Sequence, residues 1–311
     1  MNTQSNAIPE SHLESQGIVP AAIPATRQLY WSVRRELWEN RSIYIAPLAA
    51  AAIFLFGFMI SVMHLPARMR AATQGPTYPP IFIENSYMFA ALVIMGTTFI
   101  VAVFYCLDAL HGERRDRSIL FWKSLPVSDL TTVLSKASIP IVILPLLTFA
   151  MTIALWFLML LLSSAVLLAS GLSIGALRTP MPLFGMSLML LYHLVGIHAL
   201  WYAPIYGWLL MVSSWARRAA FLWATLPPLA IGVVEKIAFN TSYFANMVGY
   251  QFGGGELMGS TGSRATGIDA LLMPRLTLGQ FVTNPSLWTG LVVAAAFLVA
   301  AARVRRNQGP I

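Results

Sequence analysis

Long apolar runs separated by short polar breaks dominate the chain. Six of the runs reach or approach the roughly 20 residues that a helix needs to cross a hydrocarbon core. They are Ser42 to Met63, Tyr87 to Leu110, Ile139 to Ala169, Leu183 to Val212, Ala219 to Phe239 and Ser286 to Ala302. The pattern predicts an all-α integral membrane protein with six transmembrane helices. The third and fourth runs extend over about 30 residues, too long for a perpendicular crossing and too short for two. Pro140, Pro145 and Pro204 lie within them. Each removes a backbone donor and is expected to mark a bend, which neighbouring helices make tolerable.

Ahead of the first span, Thr26 to Arg41 reads TRQLYWSVRRELWENR. Leu29, Val33 and Leu37 recur at steps of four with Tyr30 and Trp38 beside them, an amphipathic helix pattern. Its bases, Arg34 among them, and its tryptophans suit a helix lying in the inner headgroup layer; the other reading is an extension of the first span. Residues 1–24 are polar with scattered prolines and lack the basic start, apolar core and cleavage site of a signal peptide. They are expected to form a disordered cytoplasmic leader. The segment 240–285 exceeds ordinary connection lengths. Within it, Tyr243 to Phe252 and Ile268 to Leu278 carry enough apolar and aromatic surface to predict re-entrant or interface-lying helices. No internal repeat stands out, against carriers built from duplicated halves.

Composition supports the membrane class: 57% hydrophobic and 10% charged residues, against about 45–50% and about 25% in an ordinary globular chain. The scarcity of charge gives weight to Gly112 to Lys136, GERRDRSILFWKSLPVSDLTTVLSK, which holds eight of the 32 acidic and basic residues. Counted on alternate sides of six spans, 14 of the 20 bases fall with this loop, the N-terminal helix, Arg217, Arg218 and the tail bases Arg303, Arg305 and Arg306. The positive-inside rule then places the loop and both termini in the cytoplasm. The formal charge of +8 is explained by this asymmetry and implies no nucleic-acid surface. Cys106, the only cysteine, excludes an intramolecular disulfide.

Catalytic patterns are absent: there is no HExxH, no paired-glutamate helix motif and no GxSxG. His193 and His198 are five apart, about 140° around a helix of 3.6 residues per turn, so one face is not expected to present both to a metal. Asp108 and His111 close the second span where water or the loop bases reach them. Glu235 and Lys236 lie roughly 26 Å beyond Arg218 at 1.5 Å per residue, near the outer interface. Mutual pairing or snorkelling explains them, and a polar contact on a transport route is the other reading. No Walker A pattern occurs, so any use of ATP needs another chain.

The amphipathic leading helix, six spans with both ends inside and a charged loop with a short helix after span two resemble the ABC-2 type permeases, the membrane subunits of bacterial ABC exporters. The stretches ERRDRSILFWKSLPVSD, WLLMVSSWARRAAFLWATLPP (208–228) and NPSLWTGLVVAAAFLVAAARVRR (284–306) carry the likeness, which covers residues 25–306. The resemblance implies a transmembrane permease that forms the translocation path of an exporter in the bacterial inner membrane. It would work with a second permease, identical or related, and with a separate ATPase subunit that holds ATP and Mg. The permease would bind no cofactor and would be no enzyme by itself. The loop helix would be a coupling helix seated in a cleft of the ATPase, with an apolar core of Ile119, Leu120, Phe121, Trp122 and Leu125. Glu113, Arg114, Asp116 and Arg117 would orient it by charge. Pro126 would halt it, and Ser128 or Asp129 would cap the following helix. The leading helix (Leu29, Val33, Arg34, Leu37, Trp38) would be the connecting helix that braces the ATPase. A secondary transporter would need acidic groups at mid-span, and none is there. A membrane-embedded enzyme or assembly factor is the remaining class.

Overall fold

A computed structural model describes residues 24–74, 81–124, 127–172, 183–253 and 278–309. The expected leader and the stretch around Ile268 lie outside the described residues. The architecture is helical, with no strand among the described residues, and six helices are long and apolar enough to cross a membrane.

Helix α1 (Ala25–Glu39) ends at Asn40, and α2 (Ser42–Val62) is span 1. The break between them makes α1 a helix of its own. A short α3 (Leu65–Gln74) follows, then α4 (Ile81–Ala109), span 2, which leads into α5 (His111–Arg115). Next come α6 (Ile119–Ser124) and α7 (Asp129–Ser138), which runs through Ile139–Ile143 into α8 (Leu144–Ala169) as span 3. Span 4 is α9 (Leu183–His193), the stretch Leu194–Trp201 and α10 (Ala203–Trp215). Span 5 is α11 (Ala220–Phe239), followed by α12 (Tyr243–Phe252) and α13 (Leu278–Thr283). Span 6 is α14 (Pro285–Asn307). The third helix covers 41 residues from Asp129, about 60 Å at 1.5 Å per residue and twice a hydrocarbon core. Its first turns therefore project beyond the apolar slab.

Two of the expected bends take a different form. Ile139–Ile143, which contains Pro140, and Leu194–Trp201, just before Pro204, are π-helical. The wider i→i+5 ladder absorbs an extra residue where a proline disturbs the i→i+4 pattern. It also corrects the expectation for the two histidines: residues five apart share a face of a π-helix, and the rings of His193 and His198 lie 5.6 Å apart.

Spans 2 and 3 are pinned by polar groups inside the bundle. Trp156 Nε1 donates to the Tyr87 carbonyl at 2.8 Å, and the Thr148 hydroxyl donates to Thr98 Oγ1 at 3.0 Å. Spans 4 and 6 pack closely at Gly207, which lets the backbones meet. A Cβ there would lie 3.1 Å from the Ala294 carbonyl oxygen and 3.3 Å from Phe297 Cβ. Gly207→Val is accordingly expected to cost about 1–3 kcal/mol of overpacking, read as an earlier thermal unfolding midpoint in detergent. Span 5 is nearly bare: only 6% of its apolar window is buried by the rest of the chain.

At the far end, α12 is built onto spans 4 and 5. The Glu235 carboxylate accepts from the Tyr243 and Phe244 amides at 2.6 and 2.8 Å and from the Thr241 hydroxyl at 2.8 Å. It thereby satisfies amides that a helix N-terminus leaves open. Glu235 caps α12 and forms no ion pair with Lys236 among the described residues, Lys236 being exposed; of mutual pairing and snorkelling, the two explanations expected for these residues, mutual pairing is corrected. The other end of α12 docks through Trp201 Nε1 on the Gln251 carbonyl and Tyr202 Oη on the Phe252 carbonyl, each at 3.0 Å.

Candidate functional site

The charged loop after span 2 meets α1, α7 and the end of α14 in one buried cluster. Glu113 is at its centre. Its Oε1 accepts from Arg35 Nη2 at 3.2 Å and lies 3.1 Å from Lys136 Nζ, and its Oε2 accepts from Arg305 Nη2 at 3.1 Å. Glu36 closes the other side: Lys136 Nζ donates to it at 2.9 Å, Arg35 Nη2 at 2.7 Å and the Tyr105 hydroxyl at 2.9 Å. Arg305 also pairs with Asp129. The relative exposures are 1% for Glu36, 2% for Lys136, 3% for Arg305 and 8% for Glu113. Carboxylates Glu36, Glu113 and Asp129 balance Arg35, Lys136 and Arg305 in the interior of the cluster, as burial away from water requires, and the exposed Glu39 adds a further pair with Arg35 at its edge, at 3.5 Å.

The local sequence explains how each group arrives there. Glu36 follows Val33 by three residues and precedes Leu37, so it shares the face of α1 that packs on α7. Lys136 follows Val133 by three, and Arg305 follows the buried Ala301 by four. Each charge is in register with a buried apolar face. That register is the signal in the sequence that distinguishes these charges from bases that only mark topology.

Burial alone would raise the Glu36 carboxyl, but Lys136 and then Arg35, by charge and hydrogen bond, outweigh it and hold the group below its ordinary 4.5. A carboxyl lowered on folding binds fewer protons folded than unfolded. Its stabilisation is therefore complete above 4.5 and is lost as pH falls through the folded value. The unfolding midpoint should be level between about pH 7 and about pH 5 and decline below. Glu36→Gln should make that acid decline shallower, measured by circular dichroism in detergent across the series.

The residues expected on the coupling surface separate into two groups. Glu113, Arg114 and Ile119 are buried, whereas Asp116, Arg117, Leu120 and Phe121 are exposed. Of the four residues expected to orient the loop helix by charge, Glu113 and Arg114 are thus engaged inside the chain, and Asp116 and Arg117 lie on its surface. Arg114 Nη1 donates to the Ser214 and Ala216 carbonyls at 2.8 and 3.2 Å, satisfying acceptors that the end of α10 leaves open. Ser213 Oγ takes the Leu110 and His111 amides at 3.0 and 2.9 Å, tying the end of span 2 to span 4. His111 is half-buried, and Asp108 is exposed and pairs with Arg115 at 3.6 Å.

Arg117 turns the chain between α5 and α6 with φ of 60°, a left-handed conformation that costs an arginine about 1–2 kcal/mol. Beyond it, Ile119 anchors α6 inward while Leu120 and Phe121, each 59% exposed, project outward. Trp122 is half-buried beneath the Arg35 guanidinium, 3.7 Å from its ring centroid, and meets Phe121 edge-on. Lys123 Nζ donates to the Arg306 and Gln308 carbonyls at 3.2 and 2.7 Å. Leu125 and Pro126 lie outside the described residues. Ser128 caps α7 through the Thr131 amide, as expected.

On α1, Val33 and Leu37 pack inward, while Leu29, Tyr30, Trp31 and Trp38 are exposed. Arg34 lies between Trp31 and Trp38, 5.1 and 5.0 Å from their ring centroids. This outer face is cationic and aromatic, the composition of a headgroup-level surface.

No group of three or more histidine, cysteine or acidic side chains suited to a metal occurs among the described residues. No family model, curated protein or solved structure matches the chain.

Proposed function

We propose that the chain is the transmembrane permease subunit of an ATP-driven exporter, powered by a separate ATPase subunit that binds ATP and Mg. One observation carries the reading. The apolar tip Leu120–Phe121 projects from a loop whose base is fixed by buried ion pairs to α1, span 3 and span 6. An exposed apolar knob on a rigid mount is what a partner needs in order to push on several spans at once. Force on α6 passes through α5 into span 2, through Arg35 and Trp122 into α1, through Lys123 into the end of span 6, and through α7 into span 3. ATP-driven closure of the partner would bias the spans only if its contacts with α6 differ between the two states.

In this reading the buried cluster lies on the cytoplasmic side of a bacterial inner membrane, together with both termini, in keeping with the 14 bases gathered there. A second permease would cover the bare face of span 5. Cys106 is buried, so introduced cysteines report topology. In spheroplasts an impermeant maleimide should label the Lys236→Cys variant directly and the Asp116→Cys variant only after permeabilisation. The tagged chain, solubilised from its native host, should bring down a polypeptide with ATPase activity. Labelling in the opposite order, or a chain recovered without an ATPase after cross-linking, would sink the reading.

A further inference from the structure

The connection between spans 4 and 5, residues 216–219, carries charge that the chain does not balance. Arg217 and Arg218 stand there in succession, both exposed. The carbonyl of Ala216, one residue before them, accepts at 3.2 Å from Arg114, which is 3% exposed. Arg114 donates besides to the Ser214 and Gly309 carbonyls, at 2.8 and 3.4 Å. Carbonyls satisfy its N–H groups and leave its charge whole. None of the three arginines forms an ion pair among the described residues, and no acidic residue occurs in 130–234. The cluster around Glu113 holds its own carboxylates. This edge of the protein has none, and gathered positive charge of that kind draws an anion from outside.

The neighbours of the arginines follow the layers of a lipid leaflet. Trp215 and Trp223 flank the connection with ring centroids 4.8 Å apart, edge to face, and both are nearly half exposed. An indole, apolar in its body and polar at its N–H, suits the headgroup level. Leu222, Leu226 and Leu229, at steps of four and three, share one face of α11 and are exposed over half their surface or more. From Ala220 to Leu229 the helix rises about 14 Å at 1.5 Å per residue, roughly one leaflet of a 30 Å core. Ile231 and Val234 are exposed on other sides of the same helix, so an acyl chain on the leucine face leaves room for a neighbouring protein chain.

We propose that Arg217 and Arg218 bind the phosphate of one acidic glycerophospholipid, whose acyl chain lies along Leu222, Leu226 and Leu229. Guanidinium forks match pairs of phosphate oxygens. A choline or ethanolamine headgroup would bring its own cation towards three arginines, so charge selects a headgroup without one. Arg114 is a positioning residue: it holds the connection by its carbonyls and adds to the field that the phosphate meets. The proposal needs span 5 to cross a bilayer and does not depend on the exporter reading.

The test is native mass spectrometry of the full chain in detergent, titrated with phosphatidylglycerol, with phosphatidylcholine and with glycerol 3-phosphate. The chain should retain one phosphatidylglycerol in clear preference to phosphatidylcholine. An arginine near an anionic headgroup contributes roughly 5-fold in affinity, so the paired variant Arg217→Gln, Arg218→Gln should bind phosphatidylglycerol roughly 25-fold more weakly. Both side chains are exposed, and the fold is expected to persist without them. The pair Arg41→Gln, Arg303→Gln removes the same charge from exposed bases at spans 1 and 6 and should keep the lipid. Glycerol 3-phosphate should fail to displace it, because a headgroup alone lacks the leucine face. Equal affinity of the unaltered chain for the two lipids overturns the proposal without recourse to a variant. Equal weakening in both paired variants overturns it as well, reducing Arg217 and Arg218 to general surface charge. Displacement by glycerol 3-phosphate would assign the arginines to a soluble phosphate, and a second copy of the chain held there in place of lipid would assign them to a protein contact; either result sinks the lipid site.

Discussion

Replacing Glu113 by alanine is expected to cost about 3–5 kcal/mol of stability, the usual penalty for stranding buried charge. The carboxylate is shared by Arg35, Lys136 and Arg305. Without it Glu36 still faces Arg35 and Lys136, Asp129 still faces Arg305 and the exposed Glu39 still meets Arg35 at the edge, but in the interior three bases remain against two acids. Asp108→Asn is the internal comparison. Its pair with Arg115 is exposed on both sides, and such pairs contribute about 0–1 kcal/mol. Unfolding of both variants in mixed micelles, followed by circular dichroism, should separate them clearly. The paired replacement Glu113→Leu with Lys136→Met should recover part of the loss, since removing both charges leaves less uncompensated. Equal midpoints for Glu113→Ala and Asp108→Asn would mean that the cluster is not what fixes the loop.

The second large effect is expected at the outward tip and should leave the fold intact. Leu120 and Phe121 are more than half exposed, so Leu120→Asp and Phe121→Asp remove little internal packing. If the tip fills a pocket of an ATPase, each change should cost about 2 kcal/mol or more of association, roughly 30-fold. Thermal unfolding of the isolated chain should move little. Trp122→Ala should act on both measurements, because that ring also supports Arg35, an interaction of about 0.5–2 kcal/mol. Undiminished ATPase association in both aspartate variants would turn the tip into a lipid-lying element, and vesicle flotation would then be the affected property.

Elements that follow from local pattern are legible in the sequence. Span 5 was expected from Ala219 and begins at Ala220, and α1 was expected from Thr26 and begins at Ala25. Both are legible because an apolar length or a step of four is a property of neighbouring residues. Span 3 begins ten residues earlier than its apolar run. The polar turns of α7 are held through Lys136 by Glu113 on the preceding loop and by Glu36, 100 residues away in sequence. The closeness of the histidine pair is illegible for a related reason: 100° per residue holds for an α-helix, and Leu194–Trp201 adopts a wider one.

The sequence by itself determined that six helices can cross a membrane, which ends carry the bases, and that α7 starts at Ser128 or Asp129. These follow from hydrophobic length, charge counting and a single side chain meeting its own backbone. Only the tertiary structure decided which charges serve the interior. Glu113 and Arg114 look no different in sequence from Asp116 and Arg117, yet the first two are buried against partners roughly 80 to 190 residues away while the last two face outward. Burial of a charge is favourable only where opposite charges and carbonyls converge on it, and that convergence is a property of the assembled helices.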